Sequence, residues 1–267
     1  MCFTPTVTAR LRLVNSAVAF ALACLVMITL HELAHVVTGV AQGNAPVLYG
    51  FAVDDRSATE AQHLVTVLAG PVFSLVTGLL VLSLPVRSLP VFWHLAVLWF
   101  GLVSVQEFSG YLITGPFAHV GDIGSALEIT DAPAVVGWFG FLLGWVITYL
   151  LGGCAVRRLS WFLTAGEPVD PQLRDLGLFA WLLAAAAVIV VSLGLFGAGG
   201  VSTAEAAFIA LGVATTGIFL VFVRLFLPLP STTSYRDVRF GFPALGLVVF
   251  VLVAVARQVA MSGGVRF

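Results

Sequence analysis

Residues 14–40 read VNSAVAFALACLVMITLHELAHVVTGV, an almost unbroken apolar run into which His31, Glu32 and His35 are set. A helix crosses the hydrocarbon core of a bilayer with roughly 20 mainly apolar residues, so the run is long enough to span. Arg10 and Arg12 ahead of it, and the tripeptide Ala21-Leu22-Ala23 inside it, imitate a secretory signal. Apolar character continues past residue 24, however, and the segment is read as a membrane helix instead.

Six further windows of the same kind lie at about 62–84, 91–113, 133–155, 176–197, 203–227 and 240–262. Apolar residues make up 60% of the chain and charged residues 9%, with a mean hydropathy of +1.08. An ordinary soluble domain carries about 25% charge, and a water-facing surface cannot be assembled from so little. The expected fold is all-α: one polytopic transmembrane bundle of about seven spans, with the lipid bilayer of the cell membrane as its solvent. The breaks between windows carry helix-start signals. Ser57-x-x-Glu60 and Ser202-x-x-Glu205 fit capping boxes, and Asp131 and Asp170 precede prolines as N-cap residues do.

The 12 basic residues, all arginine, and 13 acidic ones are scattered, which excludes a nucleic-acid footprint. Cys2, Cys24 and Cys154 lie far apart and read as packing residues. Arginines in alternate flanks count nine against three, which by the positive-inside rule puts the N-terminus in the cytoplasm and the end of the first helix outside.

His31-Glu32-Leu33-Ala34-His35 is an HExxH motif. On a helix, positions i and i+4 share a face, so both imidazoles reach one metal ion while Glu32 stands beside them. A random shuffle of this composition produces the pattern roughly 0.002 times. Charged groups at the centre of a membrane helix cost roughly 2.5–3.5 kcal/mol each, so residues kept there face a polar interior or bind something. A catalytic zinc takes three protein ligands and leaves one position open. Asp122, in Gly121-Asp122-Ile123-Gly124 between the third and fourth windows, is the expected third ligand, since its glycines permit a bent backbone in a loop or broken helix. His119, Glu107 and Glu128 are the rival ligand types nearby. Glu107, next to Gln106 at membrane depth, is expected to orient a metal-bound histidine through its other ring nitrogen. His63 and His94, near span ends, read as interfacial.

These residues resemble the site-2 protease family of intramembrane zinc metalloproteases. In that family HExxH lies on the first helix of a three-helix core, a short hairpin or re-entrant segment follows, a Gly-Pro stretch marks the second helix, and a distant Asp completes the metal set. The matching pieces are His31–His35, Val47–Val53, Ala69-Gly70-Pro71-Val72-Phe73-Ser74 and Asp122, so the similarity covers about residues 14–130 as catalytic core. Residues 131–267 are additional helices. Ser74 stands where the family often has Asn, and Gly-Asp-Ile-Gly where it has Leu-Asp-Gly. The resemblance implies one zinc per chain, membrane-protein substrates, and an active site nearer the cytoplasm, the reverse of the arginine count.

The expected chemistry is metal-assisted peptide hydrolysis with Glu32 as general base and the Ser74 hydroxyl near the developing oxyanion. A helical substrate must unwind before its carbonyl can be reached. Val47, Tyr49 and Phe51, in a stretch rich in β-branched and aromatic residues, are expected to form an exposed strand edge that pairs with it; the bland reading is an interfacial loop anchored by Tyr49 and Phe51. Two other functions compete: a transporter or metal-binding channel, in which the same groups line an ion path, and an inactive relative that binds membrane partners without cutting.

Overall fold

Segments that are apolar all round have no water-facing stripe to preserve, so they fold as long helices whose outer faces stay bare of polar groups. The structure, a computed structural model, describes residues 7–57, 59–85, 88–118, 121–196, 210–227, 238–261 and 263–267. Six of its helices are long and apolar enough to cross a membrane. On their outer surfaces Leu80, Phe139, Leu142, Val190 and Leu252 are each at least 60% exposed, an apolar belt that suits lipid and not water.

In chain order the helices are α1 (Val7–Ala41), α2 (Glu60–Ser83), α3 (Val91–Ala118), α4 (Gly121–Ile129), α5 (Ala134–Leu159), α6 (Val169–Leu173), α7 (Ala180–Phe196), α8 (Ala210–Phe226) and α9 (Ala244–Met261). A π-helical stretch, Arg174–Phe179, joins α6 to α7 into a single span. The window at 203–227 is represented by α8, which is shorter than a full span over its described residues and ends in 3₁₀ turns. Helices α1, α2 and α3 pack on one another, α5 closes on α3, and α1 also meets α7 and α9. The middle of α1 is therefore the core of the bundle, with Phe20, Leu25 and Met27 fully buried against Trp99 and Leu102 of α3.

Two ends of the bundle can be told apart by contacts. At one, the Arg12 guanidinium donates to Glu167 at 2.9 Å, Gln172 at 3.0 Å and Asp175 at 3.0 Å, Arg158 donates to the Leu82 carbonyl, and Asn15 donates to the Gly241 carbonyl. His94 is buried there, its ring centroid 4.7 Å from that of Phe162 and 5.8 Å from that of Trp161. At the other end lies a three-stranded antiparallel sheet in the order β2-β1-β3, made of β1 (Val47–Leu48), β2 (Val53–Asp54) and β3 (Val265–Arg266). Arg257 of α9 donates to the Gly50 carbonyl in the hairpin tip and stands over the Phe51 ring at 4.9 Å.

Several local expectations are corrected. The N-cap of α2 is Thr59, whose hydroxyl accepts from Gln62 N at 3.2 Å; Ser57 turns away to donate to Asp55. Asp131 does not cap α5. It closes α4 in the left-handed region at φ 45°, where Asp131 N bonds Glu128 O and Ala132 N bonds Leu127 O, a Schellman pattern. Asp170 lies inside the first turn of α6, paired with Arg224 and Arg174. The Ser202–Glu205 box lies outside the described residues. Cys24 and Cys154 are free thiols in packed surroundings.

Candidate metal centre

The HExxH residues lie late in α1 and face α2 and the start of α4. Because the motif is helical, His31 and His35 project from one face a turn apart, with ring centroids 4.9 Å from each other. Their Nε2 atoms are 3.2 Å apart, and the Asp122 Oδ2 atom is 2.9 Å from that of His31 and 3.4 Å from that of His35. Among the described residues these three form a group that could hold a metal ion.

Asp122 is brought there by glycine. Gly121 has φ +72° and starts α4 with a turn that an L side chain resists, and the Tyr111 ring fills the space where its Cβ would be. Gly124 is approached by Gly115 of α3, whose Cβ would lie 2.8 Å from Gly124 N. The expected loop or broken helix is thus a nine-residue helix with Asp122 in its first turn, a favoured place for a carboxylate.

The rings are held from behind. The Nδ1 of His35 faces the Thr66 carbonyl at 2.7 Å. A carbonyl only accepts, so this nitrogen carries a hydrogen, which leaves Nε2, turned towards the cluster, as the ring's available ligand atom. His31 Nδ1 meets the Ser74 hydroxyl at 3.1 Å, and its ring stacks on Tyr111 at 5.7 Å. Two expectations change here. Ser74 is buried behind His31, on the side away from the cluster, so it orients a ring and does not reach an oxyanion. Glu107 does not orient a histidine; it is hydrogen-bonded to Tyr111 one turn along α3.

The donor set fits zinc. With ligand bonds of about 2.0–2.1 Å, the edges of a tetrahedron measure about 3.4 Å, and the three observed separations run from 2.9 to 3.4 Å. Gly70 of α2 leaves the necessary space: a Cβ there would lie 2.6 Å from His31 Nε2 and closer still to His35 Nε2.

A cavity of about 530 Å³ opens onto the cluster, lined by Glu32, His35, Glu107, Tyr111 and Asp122 together with Phe51, Ala52, Val53 and Asp55 of the hairpin segment. His63 is at the cavity rim, paired with Asp55 at 2.7 Å, and is not part of the metal group. Glu128 is exposed near the far end of α4, and His119 lies outside the described residues.

The strand-edge expectation is half overturned. Val47 and Leu48 are buried in the central strand, with β3 on one side and β2 on the other, so β1 offers no free edge. Tyr49 N bonds Ala52 O, which makes 49–52 a hydrogen-bonded pair and 48–53 a non-bonded one. The N–H and C=O of Val53 consequently point outward. Among the described strands the edge that lines the cavity is β2. Thr66, Tyr111 and Arg257 were not singled out from sequence as parts of the site. Tyr111 and Arg257 did leave a trace, as polar groups within apolar windows. No family model, no curated protein and no solved structure matches the chain.

Proposed function

We propose that this protein is a multi-pass intramembrane zinc metalloprotease of the site-2 type, acting on transmembrane or membrane-anchored proteins in the cell membrane. The observation that carries the reading is the convergence of His31 Nε2, His35 Nε2 and Asp122 Oδ2 at tetrahedral-edge spacing, with the His35 tautomer set by the Thr66 carbonyl. Zinc held by these residues supplies a Lewis acid that brings the pKa of water from 15.7 towards about 7 and polarises a peptide carbonyl.

The chain's own groups do the rest. Glu32, next to His31 on α1 and lining the cavity, accepts the proton of the attacking water and returns it to the leaving amine. Thr66 and Ser74 hold the two rings, so that neither has to reorient as charge develops. The outward N–H and C=O of Val53 offer an unwound substrate the backbone partners it loses on leaving its helix.

Metal content of purified protein tests the reading. About one zinc per chain is expected in wild type, loss in His35→Ala and Asp122→Ala, and full metal without hydrolysis in Glu32→Gln. Undiminished metal in Asp122→Ala, or a hydrolytically active Glu32→Gln, sinks it.

A further inference from the structure

The two ends of the bundle differ in charge as well as in structure. Seven of the ten arginines among the described residues lie at the Arg12 end: Arg10 and Arg12 in the first turns of α1, Arg157, Arg158 and Arg174 from the end of α5 to the start of α7, and Arg224 and Arg239 from the end of α8 to the start of α9. The sheet end holds Arg56 and Arg266, with Arg257 buried inside α9. Alternate flanks share a side when every window between them spans. The contacts now join them: α1 to α6 through Arg12, α5 to α2 through Arg158, α8 to α6 through Arg224, and α1 to α9 through Asn15. Cytoplasmic flanks hold the excess of arginine, so the Arg12 end is cytoplasmic and the sheet end is not.

The metal cluster is close to the sheet end. At 1.5 Å per residue, His35 is about 9 Å along α1 from Ala41 and about 42 Å from Val7; Gly70 is about 15 Å along α2 from Glu60 and about 20 Å from Ser83. The cavity wall agrees, since Asp55, His63 and the hairpin belong to that end and, among the described residues, none of the Arg12 end lines it.

We infer that the cavity opens to the extracytoplasmic side, so that the substrates, on the proteolytic reading above, are membrane proteins whose scissile bond lies in the extracytoplasmic half of the bilayer. This is the reverse of the side that the family resemblance implies. Helix α1 enters from the cytoplasm and carries its histidines outward, and an extended substrate segment meets β2 from outside.

Single cysteines test the orientation in full-length protein lacking its natural thiols (Cys2→Ser, Cys24→Ala, Cys154→Ala). A membrane-impermeant maleimide applied to intact cells should label Ala45→Cys at the sheet end and the cavity-lining Thr114→Cys, and leave Ala165→Cys at the Arg12 end unlabelled; inside-out vesicles should reverse the pattern. Labelling of Ala45→Cys only in inside-out vesicles overturns the orientation. Thr114→Cys unreactive from outside overturns the opening. A protease site inserted after Gly43 in the chain with its native cysteines gives a second readout, and resistance to protease added outside intact cells, with cutting in inside-out vesicles, counts against the orientation. Metal content is measured on the same preparations: lack of metal with the expected labelling removes the protease and keeps the orientation.

Discussion

A methyl group at position 70 would intrude on the space between the two Nε2 atoms, so glycine there is a condition of the proposed metal site and not merely of helix packing. Gly70→Ala should lower bound zinc as far as His35→Ala does while leaving the helical circular-dichroism spectrum unchanged; normal zinc in this variant would contradict the geometry. The residue is next to Pro71, which lacks an N–H and cannot bond the Val67 carbonyl, a departure that helices tolerate when neighbours pack closely. At this scale the sequence was informative where spacing alone sets geometry. His31 and His35 meet because a helical turn makes them meet. Thr66 was invisible because it contributes a carbonyl, which every residue has.

At the scale of elements, the hairpin is what the sequence half revealed. Its strand character was legible from Val47, Tyr49, Phe51 and Val53, but not which edge stays open, because β3 comes from the other end of the chain and takes the side of β1. The residue that tests the edge is therefore Val53. Val53→Pro removes an outward N–H that takes no part in the hairpin ladder, so it should lower cleavage of a membrane substrate with zinc retained; full cleavage would remove β2 as the docking edge. The turn after β2 has its own switch. Burial pushes the Asp55 carboxyl up, but hydrogen bonds with His63 and Ser57 outweigh it and hold the group below the usual carboxylate range. A carboxyl of depressed pKa stabilises the fold above its unfolded value of about 3.9 and loses that contribution as pH falls through the lower folded value. Amide protection at Ser57, whose N–H donates to Asp55 at 3.3 Å, should be flat from neutrality to about pH 4 and drop below it. Asp55→Asn should abolish that step in hydrogen exchange.

At the scale of the whole molecule, Arg12 ties the first helix to the second half of the bundle. It is 2% exposed and bonded to Glu167, Gln172 and Asp175. Removing one partner of a buried charged network leaves the others unpaired, so Arg12→Leu should lower unfolding free energy by about 2–3 kcal/mol. Denaturant titration in detergent measures this, with zinc content unaffected because the metal cluster is at the opposite end. An unchanged midpoint would show that the network contributes nothing. Sequence by itself determined that the chain is an all-α bundle with helices long and apolar enough to cross a membrane and that two histidines share one helix face, since hydropathy over a helix length and a period of 3.6 are local properties. Tertiary structure alone decided that Asp122 comes within 2.9 Å of His31, that Gly70 leaves room between the rings, and that β3 covers β1 while β2 stays open. These join residues from 31 to 266, and no local preference of a chain specifies which distant surfaces will meet.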